Sequence, residues 1–118
     1  MNVKLIIGAI YADPQWFVKA KSAMKGHGWE VQHQSQVFPF DQTDYYSTEM
    51  GEGLKRCFLI IKGLHSLEFS ADWKLKTLEI EKQFSNKGKR RINLDPGYLD
   101  LSRVVLLSGK EGSHKIYL

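Results

Sequence analysis

Two polar segments, residues 39–46 and residues 90–98, hold most of the side chains in this sequence that could do chemistry. Carboxylates three residues apart in a helical turn can face the same way and hold a hard cation such as Mg²⁺, with water completing its shell. Asp41 and Asp44 have that spacing. The alternative is that an aspartate or threonine caps a turn while the tyrosines pack with their hydroxyl groups outward. The candidate residues of this first segment are Asp41, Thr43, Asp44, Tyr45 and Tyr46.

The second segment begins within the densest positive charge of the chain, residues 87–91. An arginine fork matches the oxygens of a phosphate, so Arg90 or Arg91 could clamp a phosphate group or an RNA backbone. Alternation along a strand would send these two arginines to opposite faces, and at most one of them would then point into a given site. The alternative is a solvated basic loop. Asn93 and Tyr98 follow as further candidate ligand-binding residues.

Asp95 and His114 join Asp44 as candidates for catalysis. Asp95 could be a third metal ligand beside Asp41 and Asp44, or it could be the first residue of an Asp-Pro-Gly turn whose amides bind its carboxylate. His114 could act as a general acid or base, or bind phosphate, because histidine titrates near neutral pH. A structural or exposed position is the alternative for a lone histidine.

Size and composition indicate one globular domain, residues 1–118, that needs no disulfide or metal as a staple. The single cysteine, Cys57, lies in an apolar run and is expected to pack as a small hydrophobic residue. A net charge of +4 and a pI of about 9.2 permit phosphate or nucleic-acid partners but require neither. No stretch approaches the ~20 apolar residues of a membrane span. We therefore expect a cytoplasmic protein without a membrane partner.

Periodicity and turn residues predict an α+β domain, a ferredoxin-like β-α-β-β-α-β sandwich with an added short helix and strand. Asp13 is the expected N-cap of the first helix, with Pro14 in its first turn. Ser70 is the expected cap of the second helix, which ends near Phe84. The predicted strands cover residues 3–10, 29–37, 54–62, 90–94 and 114–118, and the turn covers residues 95–97. The added short helix covers residues 101–107, of which residues 104–107 would also suit a strand.

The second helix carries two apolar stripes on roughly opposite sides, at 100° per residue. One stripe can cover the sheet, whereas the other needs a partner of its own. Another segment of the chain, a second subunit or a ligand surface could supply that partner, so a homo-oligomer is one possibility. The stripe left for this contact consists of Phe69, Trp73, Ile80 and Phe84.

The chain resembles a bacterial and archaeal family known as domain of unknown function 4416. The resemblance rests on Phe-Asp-Gln-Thr-Asp-Tyr-Tyr at residues 40–46 and Asn-Leu-Asp-Pro-Gly-Tyr at residues 93–98, and it covers essentially the whole chain. It implies that the two segments form one shared site. Some relatives carry a GTP-binding label, although this sequence has neither the P-loop nor the Rossmann glycine pattern. Members usually continue past the point matching Leu118, so the resemblance also implies that this chain lacks their C-terminal strands.

Three functions follow as hypotheses. The first is binding of a phosphate-containing small molecule or a nucleotide, with Mg²⁺ as a possible cofactor and a tyrosine packed on the organic part; whether the site is catalytic is left open. The second is RNA binding, favoured by the basic run and by tyrosines that could stack on bases. The third is a structural or assembly domain without catalysis.

Overall fold

The computed structural model describes the backbone of residues 1–40, 46–100, 104–107 and 114–117, with side chains for all of these except residues 104 and 114–117. A 3-10 turn at Leu67–Phe69 precedes the last helix. The helices and strands, in chain order, are β1 (Asn2–Tyr11), α1 (Pro14–Gly26), β2 (Val31–Gln34), β3 (Phe38–Pro39), α2 (Ser47–Met50), β4 (Lys55–Ile61), β5 (His65–Ser66), α3 (Ser70–Gln83), β6 (Ile92–Leu99), β7 (Val104–Leu107) and β8 (His114–Tyr117).

The strands form an antiparallel sheet in the order β2-β4-β1-β6-β7-β8, with β3 beside β4 and β5 beside β1. Helices α1 and α3 pack on one face of this sheet, which confirms the α+β class. The core between helices and sheet contains Leu5, Ile7, Phe17, Met24, Leu59, Trp73, Ile80 and Leu94. Successive strand residues alternate between faces, so Gly8 on β1 points away from the helices. We call the side of the sheet opposite α1 and α3 the distal face.

The start of α1 agrees with the sequence prediction. Asp13 is the N-cap, its carboxylate accepts a hydrogen bond from the amide of Gln15 at 3.0 Å, and Pro14 is the first helical residue. The prediction that Ser70 caps the second helix is wrong, because Ser70 is the first residue of α3. Phe69, which occupies the N-cap position, makes no side-chain capping hydrogen bond.

The two stripes of α3 divide differently from the sequence prediction. Trp73 and Ile80, which were assigned to a partner, are buried against the sheet of the same chain. Phe69, Leu75 and Leu78 are instead the exposed apolar residues of this region, with 59%, 65% and 46% of their surfaces exposed. Trp73 and Ile80 of the predicted partner stripe therefore need no partner outside their own chain.

The Asp-Pro-Gly turn predicted at residues 95–97 is wrong, because these residues lie inside β6 and pair with β1. Strand pairing tolerates Pro96 because of the direction in which its nitrogen points. The amide of Leu94 donates to Glu81 on α3, away from β1, and the two-residue period sends the nitrogen of Pro96 to the same side. The missing N–H of Pro96 therefore removes no hydrogen bond to β1.

A separate, steric reason explains why residue 97 is a glycine. A Cβ at this position would overlap the backbone carbonyl oxygen of Val105 and lie 2.8 Å from the Cα of Leu106, both on β7. Only glycine permits this close approach of β6 and β7.

The short helix predicted at residues 101–107 is also wrong for the part that the structure describes, since Val104–Leu107 is strand β7. It pairs with Gly97–Leu99 of β6, and adjacent β-branched valines suit this extended conformation. The last predicted strand is confirmed as β8. No helix within the described ranges combines the length and apolar character needed to cross a bilayer.

Candidate functional site

The polar residues of the second segment meet those of β4 on the distal face. Gly8 on β1 pairs with Phe58 on one side and Asp95 on the other, and Ile10 pairs with Arg56 and Asn93. Directly paired residues of antiparallel strands point to the same face. The strand register therefore places Arg56 on one side of β1 and Asn93 and Asp95 on the other, all on the same face, and we call these three residues with Glu49 and Arg90 the distal cluster.

Arg90 is held by Glu49, which lies on the short helix α2. The Glu49 carboxylate accepts hydrogen bonds from the Arg90 backbone amide at 2.7 Å, from Nε at 2.9 Å and from Nη2 at 2.8 Å. These side-chain hydrogen bonds lower the pKa of Glu49 and raise the pKa of the Arg90 guanidinium. Arg90 thus already has an anionic partner, so it is not a free clamp for phosphate.

A hydrogen-bonded chain continues from Arg90 along the distal face. Arg90 Nη1 donates to Asn93 Oδ1 at 2.6 Å, and Asn93 Nδ2 donates to Asp95 Oδ2 at 3.0 Å. Lys74 Nζ on α3 lies 3.8 Å from the other carboxylate oxygen of Asp95. Because Asn93 is only 3% exposed, its amide is fixed by these two contacts. The carboxylate of Asp95 is consequently oriented from both sides.

A second carboxylate, Glu81 on α3, approaches the same arginine from the edge of the sheet. Its Oε2 accepts a hydrogen bond from the Leu94 amide at 2.6 Å, and its Oε1 lies 3.9 Å from Arg90 Nη1. β7 pairs with β6 only from Gly97 onward, so the earlier part of β6 is covered here by a side chain instead of a strand. Burial raises the pKa of Glu81 to about 7, against the lowering effects of the Leu94 amide and of Arg90.

The described ends of the first segment lie against the second segment. The rings of Phe40 and Tyr46 are 5.8 Å apart, and the Tyr46 ring lies 5.8 Å from the Arg90 guanidinium. This arrangement places Tyr46 beside the distal cluster. The predicted site residues Asp41, Thr43, Asp44 and Tyr45 lie outside the described residues.

Arg56 is the cluster residue that the sequence interpretation did not select. Its guanidinium carbon lies 5.4 Å from the centroid of the Phe40 ring and 4.9 Å from that of Phe58, within the range of cation–π attraction. Its Nε is buried and has no hydrogen-bond partner among the described residues, an arrangement that typically costs about 1–3 kcal/mol. The sequence did contain a signal for Arg56. It precedes Cys57 at the start of an apolar strand, and adjacent strand residues point to opposite faces, so Arg56 points away from the core that contains Cys57.

Three other predicted site residues lie elsewhere. The Arg91 guanidinium packs on the Trp16 ring of α1 at 4.4 Å. Tyr98 is 8% exposed and belongs to the core on the helix side of the sheet, the opposite face of β6 from Asp95. His114 is the first residue of β8 and pairs with Leu107, and its side chain lies outside the description.

Within the described part of the chain, no group of three or more histidine, cysteine, aspartate or glutamate residues could hold a metal ion. The predicted Mg²⁺ site depends on Asp41 and Asp44 as well as Asp95, so it stays a prediction. The described geometry offers a different capability: Arg90 and Lys74 have carboxylate partners, whereas Arg56 has none among the described residues. The distal face therefore carries the Arg56 guanidinium and the Asp95 carboxylate, which the buried Asn93 amide orients, on an antiparallel sheet.

The fold and this surface define an α+β domain with a polar cluster on the side of its sheet opposite α1 and α3. The model of the family described as Domain of unknown function (DUF4416) matches residues 1–118, and the chain belongs to that family. No curated protein matches the sequence.

Proposed function

We propose that the chain binds a phosphate-containing small molecule or a nucleotide at the distal cluster. The observation that carries the proposal is the contact between the two polar segments through Arg90, which touches Tyr46 and donates to Asn93. Binding sites combine a few convergent polar groups with aromatic surface. Here Arg56 supplies positive charge, Asp95 supplies a carboxylate that Asn93 orients, and Phe40 with Tyr46 supplies aromatic surface for an organic moiety.

The role of Mg²⁺ in this proposal depends on Asp95. If Asp95 holds a cation together with Asp41 and Asp44, its carboxylate attracts a metal–phosphate complex. If the ligand binds without metal, the same carboxylate repels a nearby phosphate. The sign of the effect of Asp95→Asn on affinity therefore distinguishes the two modes.

The test is a thermal-shift titration of the protein with monophosphates, ATP and GTP, each with and without Mg²⁺. A ligand that binds only the folded state raises its stability by RT ln(1 + [L]/Kd), so saturable stabilisation is the expected result. Asp95→Asn should change the apparent Kd, downward without metal or upward with metal. The matched control is Asp72→Asn, on the exposed side of α3 and ion-paired with Lys76, which should leave the apparent Kd unchanged. The absence of stabilisation by every phosphate compound would contradict the proposal.

We further propose that strands β1, β2, β4 and β6, together with helices α1 and α3, form a ferredoxin-like sandwich. This is supported by the order β2-β4-β1-β6, by antiparallel pairing at each contact, and by α1 and α3 on one face. In this arrangement the face opposite the helices carries the ligand, which is where the distal cluster lies.

RNA binding is the alternative function. Fewer residues of the basic run are available to contact RNA than the sequence alone predicts. Arg90 is neutralised by Glu49 and Arg91 packs on Trp16, which leaves the exposed Lys87 and Lys89 of the basic run. Two results would favour this alternative. The Kd for RNA would rise steeply with salt concentration, and a double variant, Lys87→Ala with Lys89→Ala, would bind RNA more weakly.

A further inference from the structure

The environment of Arg56 differs from that of Arg90 and Lys74, the other described cations that contact the distal cluster. Its guanidinium lies between the rings of Phe40 and Phe58. Phe40 is held in place by a hydrogen bond from its amide to the carbonyl of Leu54, and Phe58 by hydrogen bonds of its amide with the Ser35 hydroxyl and of its carbonyl with the Ser35 amide. The backbone at both phenylalanines is thus held by the sheet, and both rings contact the guanidinium.

The charge of Arg56 is not balanced by any described residue. Glu49 and Glu81 lie next to Arg90, and Asp95 lies next to Lys74. No described carboxylate lies within ion-pairing distance of Arg56, and its buried Nε has no hydrogen-bond partner. Guanidinium groups held in partly buried positions ordinarily have carboxylate or phosphate oxygens as partners. A carboxylate or phosphate oxygen is therefore the kind of partner that the Arg56 guanidinium suits.

Gly8 makes room for this guanidinium against the sheet. A Cβ at residue 8 would lie 3.0 Å from Arg56 Nη2 and 3.3 Å from Cε1 of Phe58. A larger residue would therefore push the guanidinium outward. Since Gly8 pairs with Asp95, the position that it leaves clear borders the oriented carboxylate and amide of the cluster.

The geometry points to Arg56 as the residue that binds the phosphate group of the ligand, and to a monophosphate as the ligand class. This inference rests on the proposed function, since it concerns the same site. A triphosphate carries several negative charges and needs several cations or a metal. The described cluster has one cation without a carboxylate partner, which matches one phosphate group. The neighbouring Asp95 would disfavour a second phosphate by charge repulsion.

The test compares Arg56→Lys with Arg91→Lys. Both changes keep the positive charge and remove a guanidinium that packs on an aromatic ring, but Arg91 packs on Trp16 outside the cluster. Affinities for inorganic phosphate, ribose 5-phosphate, ATP and acetate are measured by calorimetry at constant ionic strength, without Mg²⁺. We expect ribose 5-phosphate to bind more tightly than ATP and acetate. We expect Arg56→Lys to weaken its binding at least tenfold and Arg91→Lys to change it less than twofold. Gly8→Ala should weaken it in the same direction as Arg56→Lys.

Each part of the reasoning fails in a different way. If ribose 5-phosphate binds equally well to the wild type and to folded Arg56→Lys, the role of Arg56 is refuted while phosphate binding stands. If ATP binds more tightly than ribose 5-phosphate without Mg²⁺, the monophosphate class is refuted, and equal binding of acetate refutes phosphate as the preferred anion. If no phosphate compound binds the wild type, the proposed function itself fails.

An additional measurement covers the case in which Arg56→Lys does not fold. The Nε–H resonance of Arg56 in the wild-type protein is assigned by NMR and followed as inorganic phosphate is added. A saturable shift at Arg56 that is absent at Arg91 supports the inference. An Arg56 resonance that stays unchanged while backbone amides of the cluster shift overturns it.

Discussion

Replacement of Glu81 by glutamine is expected to remove a large part of the pH dependence of folding stability. Glu81 is 3% exposed, and its carboxylate lies between the Leu94 amide and Arg90, with Lys74 and Asp95 as the next charged neighbours. Burial disfavours the ionised form and raises its pKa to about 7. Glutamine keeps a carbonyl oxygen for the Leu94 amide but cannot ionise.

The magnitude follows from linkage between protonation and folding. The folded state retains the Glu81 proton to higher pH than the unfolded chain, whose carboxyl titrates near 4.5. Stability from this group is therefore fully present below pH 4.5, falls as the pH rises, and is lost above about pH 7. At about 1.36 kcal/mol per pKa unit, the total loss is about 3 kcal/mol. Roughly 2.5 kcal/mol of this loss falls between pH 5 and pH 8.

The assay is urea denaturation of both proteins at several pH values from 5 to 8, followed by far-UV circular dichroism. The quantity of interest is the difference between the two free energies of unfolding at each pH, because contributions that the two proteins share cancel. Relative to the wild type, Glu81→Gln should gain about 2.5 kcal/mol of stability from pH 5 to pH 8. Glu79→Gln, at an exposed position on the same helix, is the matched control and should give a constant difference.

One result would refute this reasoning. Stability curves of the wild type and Glu81→Gln that stay parallel from pH 5 to pH 8, at whatever constant offset, would mean that the folded protein does not hold the Glu81 proton near neutral pH.

Further predictions concern the sheet, the core and the cluster. Gly97→Ala should cost about 3 kcal/mol, because its methyl group would overlap the β7 backbone, whereas Gly26→Ala, with open space around it, should be nearly neutral in urea denaturation. The buried thiol of Cys57 should react with a thiol reagent only as fast as the protein opens, and rapidly in urea. Glu49→Gln should cost about 1–2 kcal/mol at pH 7 through its hydrogen bonds with Arg90. Because the pKa of Glu49 is lowered in the fold, this cost should shrink as the pH falls below the ordinary carboxyl range.

Local signals in the sequence were sufficient for the elements whose character does not depend on a distant partner. The apolar run at residues 3–10 predicted β1, observed as Asn2–Tyr11, and Asp13 with Pro14 predicted the start of α1. The run at residues 54–62 likewise predicted β4, observed as Lys55–Ile61. Burial of such runs is favourable in almost any compact arrangement, so periodicity alone identifies them.

Elements whose character depends on distant residues were predicted incorrectly. Asp95, Pro96 and Gly97 form a strong local turn signal, but pairing with β1, more than 80 residues away in sequence, holds them in a strand. The candidate site shows the same limit. Glu49 and Arg90 are separated by 41 residues, and neither their ion pair nor the position of Arg56 over Gly8 follows from spacing. Strand alternation could have placed Arg56 and Asp95 on one face only once the pairing order was known.

The register of β6 determines which residues of the second segment can reach a ligand. Strand alternation sends Leu94 and Tyr98 to the core and Asn93 and Asp95 to the distal face, and a slip of one residue would exchange the two sets. Three features oppose such a slip: the Glu81 carboxylate binds the Leu94 amide, Pro96 cannot donate toward β1, and only a glycine fits at the contact with β7. A segment with the composition of a turn therefore acts as a strand with a strongly specified register. This explains how one short motif can contribute both to the core and to the candidate site.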